Sequence, residues 1–411
     1  MQNKNLMLLW TGKLVSALGD KMYAIAIAWW ILEVTNSPTM MGLYLLAATL
    51  PTVLMGIVAG AVIDNSNLKR VLVVADVVRG IGITVLGLLY LEELLTPVWV
   101  FGITVVVSLA SAFFNPAVTS IVPHIVPKGK YGKANSLIQL VDGLAKVAGP
   151  FAGVAIVAAT GYVGAFFING ISFLLSAFFE GFISYSHTHS IWRKRNENKW
   201  NRSKALINDI QNGLQYVLSN TRLLNLLFYI FAAHLFIGAL SVMLPVMAKF
   251  VSDDNLNLLG ILETVLGAGF VLGALLLSRR SEETFRIDAL PKIFIVVGFS
   301  IITIGVIAFF KSLPLFLFAL PVFVIGYCIV YASINWKTFI QLDTPPEKLG
   351  RVAAISALVG DITLPIAFAL YGFLLDQFDF VLLSVISGML LIITIYMLNL
   401  GTRRRLAPAR A

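Results

Sequence analysis

Charged side chains and cysteine are scarce in this sequence. Only 12% of the 411 residues are Asp, Glu, Lys or Arg, about half the roughly 25% found in soluble domains. The single cysteine, Cys328, excludes a disulfide framework and a cysteine metal site. The chain contains no G-x-x-x-x-G-K-[S/T] loop, so we do not expect it to use ATP directly. No pairing of nucleophile and base argues for an enzyme, and we expect no resident cofactor and no metal.

Apolar residues predominate in the composition. They make up 58% of the chain, and the mean hydropathy is +0.88. Many runs reach the about 20 apolar residues that a membrane span needs, and their length without alternation favours helices over a barrel. We therefore predict an all-α integral membrane protein with about twelve transmembrane helices. The predicted spans are 10–32, 40–63, 71–91, 97–121, 134–159, 161–185, 222–248, 256–278, 289–310, 313–336, 351–375 and 379–400.

The spans divide into two halves of six, 1–186 and 222–400, followed by a basic tail at 401–411. The polar segment 187–221 joins the halves, and apolar residues at helical spacing toward its end predict an amphipathic helix on the membrane surface. Residues 127–133 and 345–351 share the pattern P-x-x-K-x-G-[K/R]. This repeat, together with the equal number of spans, favours an internal duplication.

The distribution of basic residues predicts the orientation. Most of the 30 Lys and Arg residues, Lys13 included, are assigned to one face, while the opposite loops carry mostly acids such as Glu33 and Asp379. The positive-inside rule therefore places both termini and the linker in the cytoplasm. That rule and the attraction of anionic head groups explain the net charge of +9 without a nucleic-acid partner. We expect a monomer surrounded by the lipid bilayer.

A glycine, an acid and a basic pair lie between the second and third spans. Residues 60–72 read GAVIDNSNLKRVL, which contains Gly60, Asp64, Lys69 and Arg70. They resemble the G-x-x-x-D-R-x-x-R-[R/K] loop signature of the major facilitator superfamily, with Asn65 where arginine is usual. Such a motif forms a cytoplasmic latch, in which a small residue lets helices approach and an acid pairs with basic residues. Asp76 and Arg79, at i and i+3, are expected to join it.

Further stretches resemble one branch of that superfamily, the macrolide efflux proteins and the enterobactin and peptide-antibiotic exporters of bacteria. The matching stretches are SALGD at 16–20, FFNPA at 113–117, ANSL at 134–137 and GRV at 350–352. Gly149, Pro150 and Gly153 resemble the fifth-helix motif of antiporters, whose plain role is a bend and close packing. The resemblance implies a multi-pass transporter of the bacterial cell membrane that exports a small amphipathic substrate, by exchange for protons down the proton gradient and by alternating access.

Other cargoes fit the same fold. A lipid or lysophospholipid transporter would take its cargo sideways from a leaflet, and a siderophore or peptide exporter lies in the same branch. A membrane sensor that kept the fold without transporting anything is a further alternative, which the acids inside the spans disfavour.

Ionisable groups inside spans are candidates for function, because an unpaired charge in lipid is costly. Asp20 lies near the middle of the first span, Asp361 in the eleventh and His234 in the seventh. We expect these three residues to couple proton exchange to the change of access. The plainer alternatives are packing of Asp20 with Lys21, a solvated Asp361 in a wide cavity and a hydrogen-bonded core histidine.

The remaining polar groups inside the spans yield three further predictions. Asp142 and Lys146, one helical turn apart, can neutralise each other, or Lys146 can engage Glu263 of the eighth span as the resemblance implies. Glu180 is expected to reach the interface. The resemblance also makes the fourth and tenth helices line the substrate cavity, which makes candidates of Asn115, Asn335 and Trp336.

Overall fold

The computed structural model describes residues 2–63, 66–127, 130–184, 211, 214–251, 255–277, 289–310 and 314–406, and within these ranges it contains helices and no β-strand. The helices are α1 (Gln2–Thr35), α2 (Pro38–Ile63), α3 (Leu68–Leu91), α4 (Pro97–Ile125), α5 (Tyr131–Gly181), α6 (Thr221–Gly238), α7 (Leu240–Val246), α8 (Leu256–Leu277), α9 (Ala289–Phe309), α10 (Ala319–Asp343), α11 (Pro346–Gln377) and α12 (Phe380–Leu406). A π-helical turn (Met247–Val251) follows α7, and a 3-10 turn (Leu315–Phe318) precedes α10.

Eleven of the helical stretches in the described ranges are long and apolar enough to cross a membrane. The difference from the predicted count of twelve lies in α5, which runs for 51 residues, more than twice the length of one crossing. Gly161 interrupts its helical geometry with φ 68° and ψ −171°. Only glycine adopts this backbone conformation freely, which explains why the helix breaks at this residue. The break falls at the boundary predicted between spans 134–159 and 161–185. The prediction of a multi-span helical membrane protein is confirmed.

The chain divides into two compact units, Met1–Thr188 with Ala248–Thr264 and His189–Met247 with Val265–Ala411. In the first unit, α1 lies along both segments of α5. Before the break, a Cβ added to Gly153 would lie 2.7 Å from the carbonyl oxygen of Met22. After it, a Cβ added to Gly12 would lie 3.0 Å from the Ser176 hydroxyl. These glycines bring the helix backbones close together, as small residues do in membrane bundles, and so confirm close packing by Gly153.

Small residues also bring helices together in the second unit. A Cβ on Gly298 of α9 would lie 2.9 Å from the carbonyl oxygen of Gly388 on α12, and one on Gly326 of α10 would lie 2.2 Å from that of Leu266 on α8. Helix α6 packs against α11, where a Cβ on Gly238 would lie 2.9 Å from the Leu364 side chain.

The repeated sequence pattern has a repeated geometry. The backbone N–H of Lys130 donates to Pro127 O at 3.1 Å, and the N–H of Lys348 donates to Pro345 O at 2.9 Å. Each turn leads into a long helix, α5 in the first unit and α11 in the second. This correspondence supports the predicted duplication.

Of the linker 187–221, the structure describes residues 211 and 214–221. Residues 214–219 are helical, with Val217 fully buried and Leu214 and Leu218 about half exposed. The ammonium group of Lys348 lies 4.1 Å from the centre of the Tyr216 ring. The end of the predicted amphipathic helix therefore contacts the start of α11, and its preceding part lies outside the described residues.

Candidate functional site

A charged cavity of about 510 Å³ lies inside the first unit, between α1, α3, α4 and α5. Its charged lining residues are Lys13, Asp20, Lys21, Arg79, Asp142 and Lys146. Apolar walls come from Phe114 and Val118 of α4 and from Ile138 and Phe173 of α5. The volume falls within the range of about 300–1,000 Å³ that is typical of small-molecule sites. A cavity with charges set among aromatic and aliphatic surfaces suits an amphipathic ligand.

One wall of the cavity is fixed by an ion pair between α1 and α5. The Lys13 ammonium group lies 3.0 Å from both carboxylate oxygens of Asp142, and only 8% of the Lys13 residue is exposed. The sequence predicted Lys13 to be among the cytoplasmic charges and Lys146 to be the partner of Asp142. The structure instead gives Asp142 a partner 129 positions away, while Lys146 lines the same cavity on the next turn of α5.

Asp20 owes its position to the glycine before it. A Cβ on Gly19 would lie 2.3 Å from the Ser172 hydroxyl and 2.9 Å from Asn169 Oδ1, so α1 approaches the second segment of α5 closely here. The next residue, Asp20, is half-buried. Both Asp20 and Asn115 of α4 line the cavity. Both were sequence candidates, and the structure places them in one chamber.

The loop motif is only partly described. Asp64 and Asn65 lie outside the described residues. Among the residues that the structure describes, a Cβ on Gly60 would meet nothing within 4 Å, so the close helix approach predicted for this glycine is not seen there. Arg70 is exposed, and its backbone N–H donates to the Asn67 side chain at the start of α3, next to the half-buried Lys69.

Asp76 and Arg79 form a buried ion pair deeper in α3, where Arg79 donates a hydrogen bond to Asp76 Oδ1. The Arg79 guanidinium group lies between two aromatic rings, 4.1 Å from the centre of Phe114 and 4.5 Å from that of Phe173. These contacts compensate a buried cation, because aromatic faces attract it. Arg79 lines the cavity, and Asp76 is buried behind it.

Glu263, on the portion of α8 that belongs to the first unit, is half-buried. The charge that acts on its carboxylate is that of Lys21 on α1. The pairing of Glu263 with Lys146 remains a prediction, while the proximity of Lys21 is a feature that the sequence did not indicate.

The second unit brings together three of the sequence candidates. The Nδ1 of His234 donates to Ile230 O at 2.8 Å, and the imidazole lies 5.4 Å from the Trp336 ring, at an angle of 33°. The exposed Asp361 of α11 interacts electrostatically with His234. Gly360 permits this arrangement, because a Cβ there would lie 2.8 Å from Nε2 of the imidazole.

Asn335 is placed differently from the expectation. Only 1% of it is exposed, and its amide donates to Tyr331 O of its own helix at 2.8 Å. It is therefore buried against helices, whereas its neighbour Trp336 faces His234.

Comparison with known proteins decides the family. The family model of the major facilitator superfamily matches residues 9–367. The chain belongs to the major facilitator superfamily. Macrolide efflux protein A of Streptococcus pyogenes is 24% identical over 397 residues, which are 93% of this chain and 92% of that protein. The multidrug efflux pump Tap of Mycolicibacterium fortuitum is 26% identical over 384 residues, 90% and 89% of the two chains.

The fold comparison agrees with the family. The crystal structure of a bacterial homologue of the iron transporter ferroportin in an inward-facing state has a TM-score of 0.72 at 16% identity, and it covers 96% of this chain and 98% of that one. Together with the spans, the bacterial efflux relatives identify this major facilitator protein as a multi-pass protein of the bacterial plasma membrane.

Sequence reasoning missed the positions of three residues in the first unit of this major facilitator chain. Lys13 was counted with the cytoplasmic charges, Glu180 was expected at the interface, and Phe173 was not singled out. Glu180 is instead fully buried. A possible signal for Lys13 was its position inside the first predicted span, where a lysine needs an acidic partner.

Proposed function

We propose that this chain exports amphipathic drugs or antibiotics, macrolide-like molecules first among them, in exchange for protons through alternating access. The observation that carries the proposal is the cavity of the first unit, where six charged side chains surround an apolar-walled chamber inside a membrane bundle. Intramembrane charges that face a cavity mark substrate and ion pathways. The names of the efflux relatives point to the same class of cargo.

Asp20 is the residue proposed to exchange the proton in the cavity. It is half-buried beside Arg79 and Asn115 in the same lining, so cargo that enters the chamber meets its carboxylate. Binding a cationic drug there favours the ionised acid, and release of the drug favours the protonated one. This competition couples the two movements without any direct contact between drug and proton.

Asp361 and His234 are proposed as a second proton site. A carboxylate within electrostatic reach of an imidazole can pass a proton to it, because histidine changes charge near physiological pH. The imidazole is oriented by its bond to Ile230 and by the Trp336 ring, which leaves Nε2 as the titrating nitrogen.

The test measures internal pH in proteoliposomes that hold the purified protein and a pH-sensitive dye while a macrolide is added. Wild type should show drug-driven proton movement, and Asp20→Asn should lose it. Asp376→Asn, at the exposed end of α11, is the matched control and should behave as wild type. Drug movement without a pH signal in wild type would refute proton exchange.

A groove favours lipid as the second candidate cargo. It has a volume of about 590 Å³, lies between α3 and α4, and is lined by apolar residues such as Val74 and Val106, with Arg70 and Asn67 at one end. An acyl chain would fit the apolar part and an anionic head group the arginine. Movement of a fluorescent lysophospholipid between leaflets, lost in Arg70→Gln and unaffected by macrolide, would favour this function over drug export.

A further inference from the structure

Two acids that the proposed cavity chemistry does not use are buried beside its floor. Asp76 on α3 and Glu180 on the second segment of α5 are both 0% exposed. Ser176, one turn before Glu180, is equally buried. Asp76 and Arg79 are the charged groups that act on Glu180, so the two acids and the arginine form one cluster.

Apolar packing closes this cluster on its predicted cytoplasmic side. Leu72, Ala75 and Phe114 belong to one buried hydrophobic group that also contains Leu9 of α1 and Ile183 after α5. The backbone of Gly12 covers Ser176 from the α1 side. Arg79, which pairs with Asp76, and Phe173 line the cavity, so the cluster borders it.

The cluster has one cation for two acids. Arg79 donates to Asp76 Oδ1, whereas both oxygens of Glu180, Asp76 Oδ2 and Arg79 Nε are buried without a hydrogen-bond partner among the described residues. A second buried carboxylate in its ionised form has no compensating charge there, and such a group takes up a proton instead. A protonated carboxyl also gains an O–H that can donate to the free oxygen of the other acid.

Other charges of the cavity do not supply the missing cation. From α1, Asp20 acts on Asp76 with the same sign, and Lys13 is held by Asp142 of α5. Lys21 acts on Glu263, and Lys146 lies on the cavity lining in an exposed position. Helix α4 contributes the uncharged Phe114 ring to the cluster.

We propose that Asp76 and Glu180 form a proton-storage pair, which holds one proton while Arg79 neutralises the other carboxylate and takes up a second proton from the cavity when Arg79 moves away. When the guanidinium group leaves Asp76 for Asp20, the Asp76 carboxylate takes a proton from cavity water, and when it returns, Asp76 gives that proton back. Arg79 is thus a positioning residue that links the pair to the cavity. The coupling of this exchange to cargo rests on the proposed function, whereas the stored proton does not.

The test is infrared spectroscopy of the whole purified protein in lipid, at neutral pH, in the C=O stretching band of protonated carboxylic acids. Wild type should contain this band, and Glu180→Gln should lose the share of one acid. Asp76→Asn should lose the same share, because Arg79 then pairs with an ionised Glu180. Glu180→Asp should keep the band at a shifted frequency. Glu347→Gln, exposed in the first turn of α11, is the matched control and should leave the spectrum unchanged.

The outcomes separate this pair from drug export. An unchanged band in both Glu180→Gln and Asp76→Asn would overturn the proposal, even if wild type exchanges drug for protons. A band that behaves as expected in a protein with no drug-driven proton movement would uphold the pair and refute the exchange of drug for protons. If wild type shows both the carboxyl band and drug-driven proton movement, the double variant Asp76→Asn with Glu180→Gln should move drug with at least a tenfold smaller pH signal. A full signal would overturn the link through Arg79.

Discussion

Replacing Gly153 by alanine should separate α1 from the first segment of α5. The added Cβ would lie 2.7 Å from the Met22 carbonyl oxygen and 3.0 Å from its Cα. Ordinary contact begins at 3.4 Å, so one helix must move by about 0.7 Å to fit a methyl group between them. Both contacting groups belong to the backbone, and no change of rotamer can relieve the overlap.

The expected loss of stability follows from two opposing effects. Overpacking of this kind costs about 1–3 kcal/mol, while replacing glycine by alanine within a helix gains up to about 1 kcal/mol. Gly143 lies in the same helix, and a Cβ there would meet no described atom within 4 Å. Gly143→Ala should therefore show the gain alone, and Gly153→Ala should be less stable than it by about 1–3 kcal/mol.

The assay is equilibrium unfolding in mixed micelles by increasing fractions of sodium dodecyl sulfate, followed by circular dichroism. Met22→Ala in the Gly153→Ala background should not restore stability, because the clash is with backbone atoms. Equal unfolding free energies for Gly153→Ala and Gly143→Ala would refute the reasoning, and so would rescue by Met22→Ala.

Two further stability predictions use pairs of changes. Lys13→Gln and Asp142→Asn should each destabilise the protein. A double-mutant cycle with the same unfolding assay should give a coupling free energy of about 0.5–3 kcal/mol, toward the low end because 39% of the Asp142 side chain is exposed. Additive losses of stability would contradict the ion pair. Gly360→Ala should lower the free energy of unfolding by about 1–3 kcal/mol, because its Cβ would lie 2.8 Å from His234 Nε2. In a His234→Ala background most of that loss should disappear. An unchanged loss would show that the imidazole is not the obstacle.

The number and position of the helices could be predicted because each depends on the chain near it. A run of about 20 apolar residues must be helical in lipid wherever it lies, and Gly161 supplied the break that divides α5. The duplicated pattern at 127–133 and 345–351 is also local, and its two proline turns match. Neither prediction required knowledge of which helices touch.

The partners of charged groups could not be predicted by the same route, because they depend on how one helix is rotated against another. Helical spacing offered Asp142 the neighbour at i+4, yet its carboxylate is bound by Lys13 of a different helix. Spacing did offer Asp76 the neighbour at i+3, and that pair forms.

The burial of Glu180 could not be predicted for the same reason, because it depends on which helix covers it. Glu180 is one residue from the end of α5 and was expected to reach the interface. It is buried because the first turns of α1 cover that end, where Asn5 exchanges two hydrogen bonds with the backbone of Ser184. A glutamate so enclosed is fully buried, and the proposed pair therefore exchanges protons through the cavity that Arg79 lines. The burial of Glu180, which the sequence did not indicate, is therefore the reason for its proposed role in the chemistry of the cavity.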